Sequence, residues 1–217
     1  MSLSNEDNYL SYLPFTHSME QSVFSVSMVT GLKFGFYQGD PLKLVEDCAA
    51  LQPTLFVSVP RLYNRIYAKI QAGFAAATGC KAWLLNSALN AKTTGLSANP
   101  AQANYTNGCY DKLVFSKVAA LLGGKVRYMI SGSAPIDGQV LDFLKIAFCC
   151  PVLEAYGLTE TSGGCSGTVP ADPVSGHIGN PIECAKWRLR SLPDMEYLVT
   201  DKPYPRGELC IKGTNVF

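Results

Sequence analysis

The run Tyr156-Gly-Leu-Thr-Glu-Thr-Ser-Gly-Gly holds the densest set of chemically useful side chains in the chain. Tyr156 can offer an aromatic face to a base, the Thr159 hydroxyl can reach a phosphate oxygen, and the Glu160 carboxylate can take a hard cation such as Mg²⁺. The same residues also read as a solvated loop acid beside a core tyrosine. A second cluster, Ser131-Gly-Ser-Ala-Pro, presents small residues that let a flat ligand approach the backbone, or an ordinary strand-to-helix turn. Neither run holds a nucleophile and base of the Ser/His or Cys/His kind. The two histidines, His17 and His177, lie far apart, and the eight cysteines include no CxxC pair, which leaves no zinc-ligand spacing.

The elements that must position these residues follow from hydrophobic patterning. A strand over Val126–Ile130 leads into the second cluster, and a final strand over Val152–Ala155 leads into the first. Both clusters therefore sit at carboxyl ends of strands, where open α/β sheets take ligands. Upstream, strands are predicted from Tyr9, over Leu32–Tyr37, and over Thr54–Val59, the last a continuous apolar run suited to a parallel strand covered on both faces. Between them come a buried helix within Phe15–Val29 that ends near Gly31, and a helix opened by Asp40-Pro41. The stripe of that second helix is Leu42, Leu44, Val45, Cys48 and Leu51. A helix then carries Leu62, Ile66 and Ile70, with Tyr63 and Tyr67 beside them. The pattern loosens over about 75–104, read as an insertion or surface excursion with one helix near Trp83–Leu89. Helices return over Leu113–Leu122, closed by Gly123-Gly124, and over Gly138–Phe148. The fold class is α/β: a mostly parallel sheet flanked by helices over 9–167, followed by an antiparallel β-subdomain over 168–217.

Composition bounds the remaining possibilities. The chain has 217 residues, 47% hydrophobic and 16% charged, with a net charge of +1. That excludes a disordered chain and argues against a general nucleic-acid grip or a polybasic membrane anchor. No apolar run reaches the roughly 18 residues that span a bilayer. Met1 to Asn8 is short and polar, without a signal-peptide pattern. The cysteines read as reduced thiols of a cytosolic compartment, many of them buried as small hydrophobes.

Taken in order, Ser131–Pro135, Tyr156–Glu160 and Arg206-Gly-Glu-Leu-Cys-Ile-Lys-Gly resemble the acyl-adenylate-forming (AMP-binding) superfamily. Within it, Tyr12-Leu-Pro-Phe-Thr-His-Ser-Met-Glu, Gly35-Phe-Tyr-Gln-Gly-Asp, Gln52–Arg65 and His177-Ile-Gly-Asn-Pro-Ile resemble eukaryotic-type long-chain fatty acid–CoA ligases. The resemblance implies ATP-dependent conversion of a long-chain fatty acid through acyl-AMP to acyl-CoA, with ATP, Mg²⁺ and coenzyme A. It implies that Gly132, Ser133, Ala134 and Pro135 wall an adenine pocket, that Tyr156 and Gly157 close its other side, and that Thr159 contacts the attacked phosphate. Glu160 would hold Mg²⁺, and Gly163 and Gly164 would run beside the acyl group. His17 would lie where acyl and CoA sites meet, or serve as a helix-terminal structural residue. Arg61 and Arg65 would face CoA phosphates or simply be solvated. The resemblance implies no nucleic-acid partner, a place on the cytoplasmic side of a membrane such as the endoplasmic reticulum or peroxisome, and membrane contact through segments outside these residues.

Several features of that superfamily have no counterpart in the 217 residues: the phosphate loop, the ribose-binding Asp, the hinge and the C-terminal catalytic Lys. The chain is therefore expected to be an internal piece of a longer enzyme, unable to adenylate or thioesterify by itself. Two rivals stand beside the long-chain reading. One is an aryl- or short-chain acid ligase of the same superfamily. The other is a non-catalytic nucleotide- or lipid-binding relative.

Overall fold

The computed structural model describes residues 1–99 and 103–217. Five parallel strands form the centre: β1 (Asn8–Ser11), β2 (Lys33–Phe36), β3 (Leu55–Ser58), β4 (Tyr128–Ser131) and β5 (Val152–Leu158). Antiparallel β6 (Gly163–Gly167) and β7 (Asn180–Pro181) extend the sheet, whose order is β2-β1-β3-β4-β5-β6-β7. β8 (Ala185–Arg190) and β9 (Glu208–Gly213) pair antiparallel as a separate two-stranded sheet. The expected α/β class holds, with the division between sheets falling after β7. All four residues of β3 are buried, as its unbroken apolar run predicts for a central strand.

Two cores flank the sheet. On one face Tyr9, Leu55 and Val57 meet Val23 of α1 (Ser18–Thr30). On the other, Leu10, Phe56 and Met129 meet α2 (Leu44–Leu51), α3 (Pro60–Ala75), α4 (Gly79–Ser97) and α7 (Gly138–Phe148). Between α4 and β4, α5 (Gly108–Tyr110) continues through a π-helical segment (Asp111–Phe115) into α6 (Ser116–Ala119) and a 3-10 turn capped by left-handed Gly123. Tyr63, expected beside the α3 stripe, is fully buried, and its hydroxyl donates to the carbonyls of Phe56 and Ile130, tying α3 to two strands. Leu42 and Val45, expected in the α2 stripe, are exposed; Leu44 and Cys48 carry the packing.

Two helices differ from the sequence reading. α1 is not a buried helix: only Glu20, Val23 and Ser27 are buried, one stripe at helical spacing, while Met28 and Val29 stand in the open. Its composition of small, apolar and hydroxyl residues could not distinguish one buried face from burial all round. The segment after residue 75 is not a surface excursion either. α4 runs for 19 residues and sends Leu85, Ala88, Lys92 and Leu96 into the interior. The expected 75–104 segment includes residues 100–102, which lie outside the described residues.

Glu20 anchors α1. Its carboxylate is fully buried and accepts from the Tyr9 hydroxyl at 2.5 Å and the Ser11 hydroxyl at 2.5 Å. Replacing Glu20 by alanine strands both hydroxyls, and should lower unfolding stability by about 2–4 kcal/mol. The urea midpoint reads this directly; a shift no larger than that of an exposed substitution would contradict the anchoring role.

All eight cysteines are free thiols. Cys48, Cys150 and Cys165 are buried, Cys149 and Cys210 partly so, and Cys80, Cys109 and Cys184 are exposed. Burial pushes the Cys48 thiol up to about 12, as expected of a small hydrophobe without redox or ligand duty.

Candidate functional site

β5 does not stop at Ala155. It continues through Tyr156, Gly157 and Leu158, turns over one 3-10 loop (Thr159–Thr161), and returns as β6. The run expected to follow a strand is thus the tip of a β-hairpin that projects from the carboxyl edge of the sheet. The small-residue string Gly163-Gly-Cys-Ser-Gly carried that signal, since only small residues let β6 approach so closely. A Cβ on Gly157 would land on the Gly163 carbonyl, and one on Gly163 (φ 106) would land on Ser22 Oγ.

The hairpin tip is held from inside and outside. Buried Thr161 donates its hydroxyl to the Leu158 carbonyl at 3.0 Å and to the Gly163 carbonyl at 3.1 Å, and accepts the Leu158 amide at 2.9 Å. Asn215, which the motif reading passed over, donates Nδ2 to the carbonyls of Thr161 and Gly164 at 3.0 and 3.2 Å. The Phe217 amide donates to the Glu160 carbonyl at 3.2 Å. These bonds use the backbone and leave the Thr159 and Glu160 side chains exposed at the rim.

α1 reaches the same rim from the other side. His17 caps its N-terminus, with Nδ1 accepting the Met19 amide at 3.1 Å, and Ser22 Oγ donates to the Ser162 carbonyl at 3.3 Å. Because α1 follows β1 and returns against the strands, its first residues lie at the carboxyl edge and its later turns run back over the sheet. Between helix, sheet and hairpin lies a cavity of about 430 Å³. Its rim carries His17, Ser133, Tyr156, Thr159 and Glu160; its apolar wall is Met19, Val23 and Val26 of α1 with Leu55, Val57 and Ile130 of the sheet. From Met19 to Val26 the helix rises roughly 10 Å, giving the cavity a polar mouth and an apolar depth.

Of the sequence-derived residues, the structure brings His17, Ser133, Tyr156, Gly157, Thr159, Glu160, Gly163 and Gly164 to one cavity. His17 thus serves as the helix-terminal residue, and its ring also lines the cavity. Gly132 lies just behind the wall, where a Cβ would stand 3.1 Å from Met19 Sδ and 3.3 Å from the Ala155 carbonyl. Ala134 and Pro135 are exposed beside the mouth and do not line the cavity. Ser133 adopts a left-handed φ of 72°, a conformation that costs a non-glycine residue free energy; unlike Gln52, Cys149, Ser162 and Glu196, it ends no helix. The α1 wall residues were missed because their small and apolar types matched a core stripe as well as a pocket.

The donor set bears on which groups the site fits. Among the described residues no three His, Cys, Asp or Glu side chains gather as a metal site. A lone rim carboxylate such as Glu160 suits Mg²⁺, which keeps several waters and is completed by substrate phosphates. The buried hydroxyl of Ser131, at the carboxyl end of β4, has no hydrogen-bond partner among the described residues.

A mostly parallel sheet with an aromatic, a hydroxyl and a carboxylate at its carboxyl edge places the class as an open α/β domain with its cavity where such sheets take ligands. The chain belongs to the AMP-binding enzyme family, whose model matches residues 1–217. It is 44% identical to long chain acyl-CoA synthetase 6, peroxisomal, of Arabidopsis thaliana, over 98% of this chain and 30% of that protein. It is 46% identical to long-chain-fatty-acid–CoA ligase 5 of Rattus norvegicus, over 98% of this chain and again 30% of the relative. The chain thus spans about 30% of the length of these curated relatives. In fold it resembles the A domain of carboxylic acid reductase from Segniliparus rugosus in complex with AMP and a co-purified carboxylic acid. That match has a TM-score of 0.67 at 24% identity, over 96% of this chain and 28% of the other. No helix among the described residues is long and apolar enough to cross a membrane.

Proposed function

We propose that this chain supplies the acid- and nucleotide-binding floor of a long-chain fatty acid–CoA ligase. The cavity carries the reading, since its polar mouth suits a carboxylate meeting a phosphate and its apolar depth suits an alkyl chain. The names of the most similar relatives support the long-chain choice.

In the proposed reaction an oxygen of the fatty carboxylate attacks the α-phosphorus of ATP, and the bond to pyrophosphate breaks. The CoA thiolate then attacks the acyl carbon of acyl-AMP, and the bond to AMP breaks. A carboxylate is a poor electrophile, so the first step exists to give it a leaving group. The chain's own residues act by positioning and by charge. Tyr156 stacks on the adenine across from the Gly132–Pro135 loop, Thr159 donates its hydroxyl to the attacked phosphate, and Val23, Val26, Leu55 and Val57 exclude water around the alkyl chain. Glu160 would hold Mg²⁺, which when bound neutralises developing phosphate charge. His17, fixed in direction by its capping bond, lies where the acyl carbonyl would meet the thiolate.

The test is exchange of labelled pyrophosphate into ATP by the full-length protein, across acids of different length and type. Exchange that rises with alkyl length and is weak with aromatic acids is expected. Preference for an aryl or short acid would move the protein to another ligase of the family. Nucleotide binding without exchange for any acid would make it a non-catalytic relative.

A further inference from the structure

The near-zero net charge conceals a segregation along the chain. Nine of the 18 Lys and Arg, but only one of the 17 Asp and Glu, fall between residues 48 and 136. That span builds α3 to α6, on the face of the sheet opposite the cavity, and its one acid, Asp111, is taken by Lys92. Arg61, Arg65 and Lys69 stand exposed at i, i+4 and i+8 along α3, Lys81 opens α4, and Lys112 and Lys117 continue on the next helical stretch. None of these six makes an ion pair among the described residues. The acids of the neighbouring helices are engaged or lie apart in the chain. Asp142 accepts from Ser175, Asp47 from Gln38, and Asp137 caps α7. Like charges at i, i+4 repel, and no ion pair among the described residues offsets that repulsion.

The same layer exposes apolar groups where α3 turns into α4. Ala72, Gly73, Ala75 and Ala76 are exposed at the end of α3, and one turn into α4 Trp83 is 71% exposed. We propose that this corner and the basic face of α3 form a docking surface for an anionic lipid bilayer. The cations would lie among the headgroups and Trp83 at the boundary with the acyl chains. Charge complementarity names an anionic partner, and the exposed tryptophan with its small apolar surround selects a lipid surface over a nucleic acid. A nucleic-acid site would interleave several stacking aromatics with the cations. Here the aromatics of α3 are turned inward: Tyr63 is buried, and Tyr67 and Phe74 pack edge-on against Phe143 at 5.0 and 5.9 Å. The inference is independent of the ligase reading.

The experiment is co-sedimentation of the full chain with phosphatidylcholine vesicles, with and without phosphatidylserine, together with tryptophan emission. Binding only to the phosphatidylserine vesicles is expected, weakening as salt rises from about 0.05 to about 0.3 M. Combining Arg61→Gln, Arg65→Gln, Lys69→Gln and Lys81→Gln should lower partitioning at least about a hundredfold. The milder pair Lys69→Gln with Lys81→Gln should fall part of the way, which separates a surface effect from misfolding. Trp83→Phe should abolish the blue shift of emission, since Trp187 already has its indole nitrogen buried. Equal binding to neutral vesicles, or unchanged partitioning in both Gln variants, would overturn the proposal. Binding to double-stranded DNA without binding to vesicles would overturn it in favour of a nucleic-acid footprint.

Discussion

Substituting Lys92 by alanine is expected to lower unfolding stability by about 3–5 kcal/mol, more than any surface change in this chain. The Lys92 side chain is 0% exposed, inside the helical layer. Its ammonium donates to Asp111 at 2.6 Å, to the Ile146 carbonyl at 2.7 Å and to Cys149 Sγ at 3.0 Å, and stands 4.5 Å over the Phe115 ring. α4, the π-helical segment and α7 therefore meet on one cation. Burial pushes the Cys149 thiol up to about 11 in spite of Lys92, so at neutral pH it is a neutral thiol and Asp111 alone supplies the counter-charge. Alanine would leave Asp111 without that cation and open a cavity beside Phe115. Denaturant midpoints measure the loss. Pairing Lys92→Met with Asp111→Asn should recover much of it, because a neutral, filled site needs no charge partner. A Lys92→Ala protein as stable as the parent would refute the buried arrangement.

Changing Glu160 to glutamine in the full-length protein should slow acid-dependent pyrophosphate exchange by about 10²–10³-fold. The fold should be spared, because the hairpin tip is held by the Glu160 carbonyl, by Thr161 and by Asn215, none of which uses the carboxylate. Glutamine keeps the size of the side chain and removes the charge that would hold Mg²⁺. The distinguishing readout is magnesium dependence: the variant should need far more Mg²⁺ for what exchange remains, while nucleotide binding without metal changes little. Undiminished exchange at the same Mg²⁺ concentration would remove Glu160 from the metal's coordination.

How much of this was legible in the residues can be judged element by element. Gly138–Phe148 is the predicted helix residue for residue, opened by the Asp137 side chain that accepts the Gln139 amide at 2.7 Å. Asp40 caps its turn and Gly31 and Gly123 end theirs in left-handed conformations, because caps and glycine stops act within a few residues. β3 was equally plain. The hairpin at Tyr156–Gly167 was half-legible: its chemistry was evident in the residue types, but its strand character depended on β6 pairing back upon it. A strand of Gly, Cys and Ser has little intrinsic tendency to declare itself. α4 was understated for a related reason. Its interior polar residue, Lys92, broke the apolar pattern that marks a buried face, and only Asp111, nineteen residues on, makes that burial tolerable.

The sequence by itself determined the alternation of strands and helices up to β5, most of their local stops, and the family motifs at the carboxyl ends of β4 and β5. Those depend on propensity, capping and spacing, which reach only a few residues along the chain. The tertiary structure alone decided that α1 lies against the β5–β6 hairpin. There Ser22 meets Ser162 across 140 residues, and His17 shares a cavity with Thr159 and Glu160. It also decided that Asn215 holds the hairpin tip, and that α3, with its exposed Arg61, Arg65 and Lys69, packs on the opposite face of the sheet from that cavity. Which faces meet depends on shape and on satisfying buried polar groups over long loops, and no local pattern of residues encodes that choice.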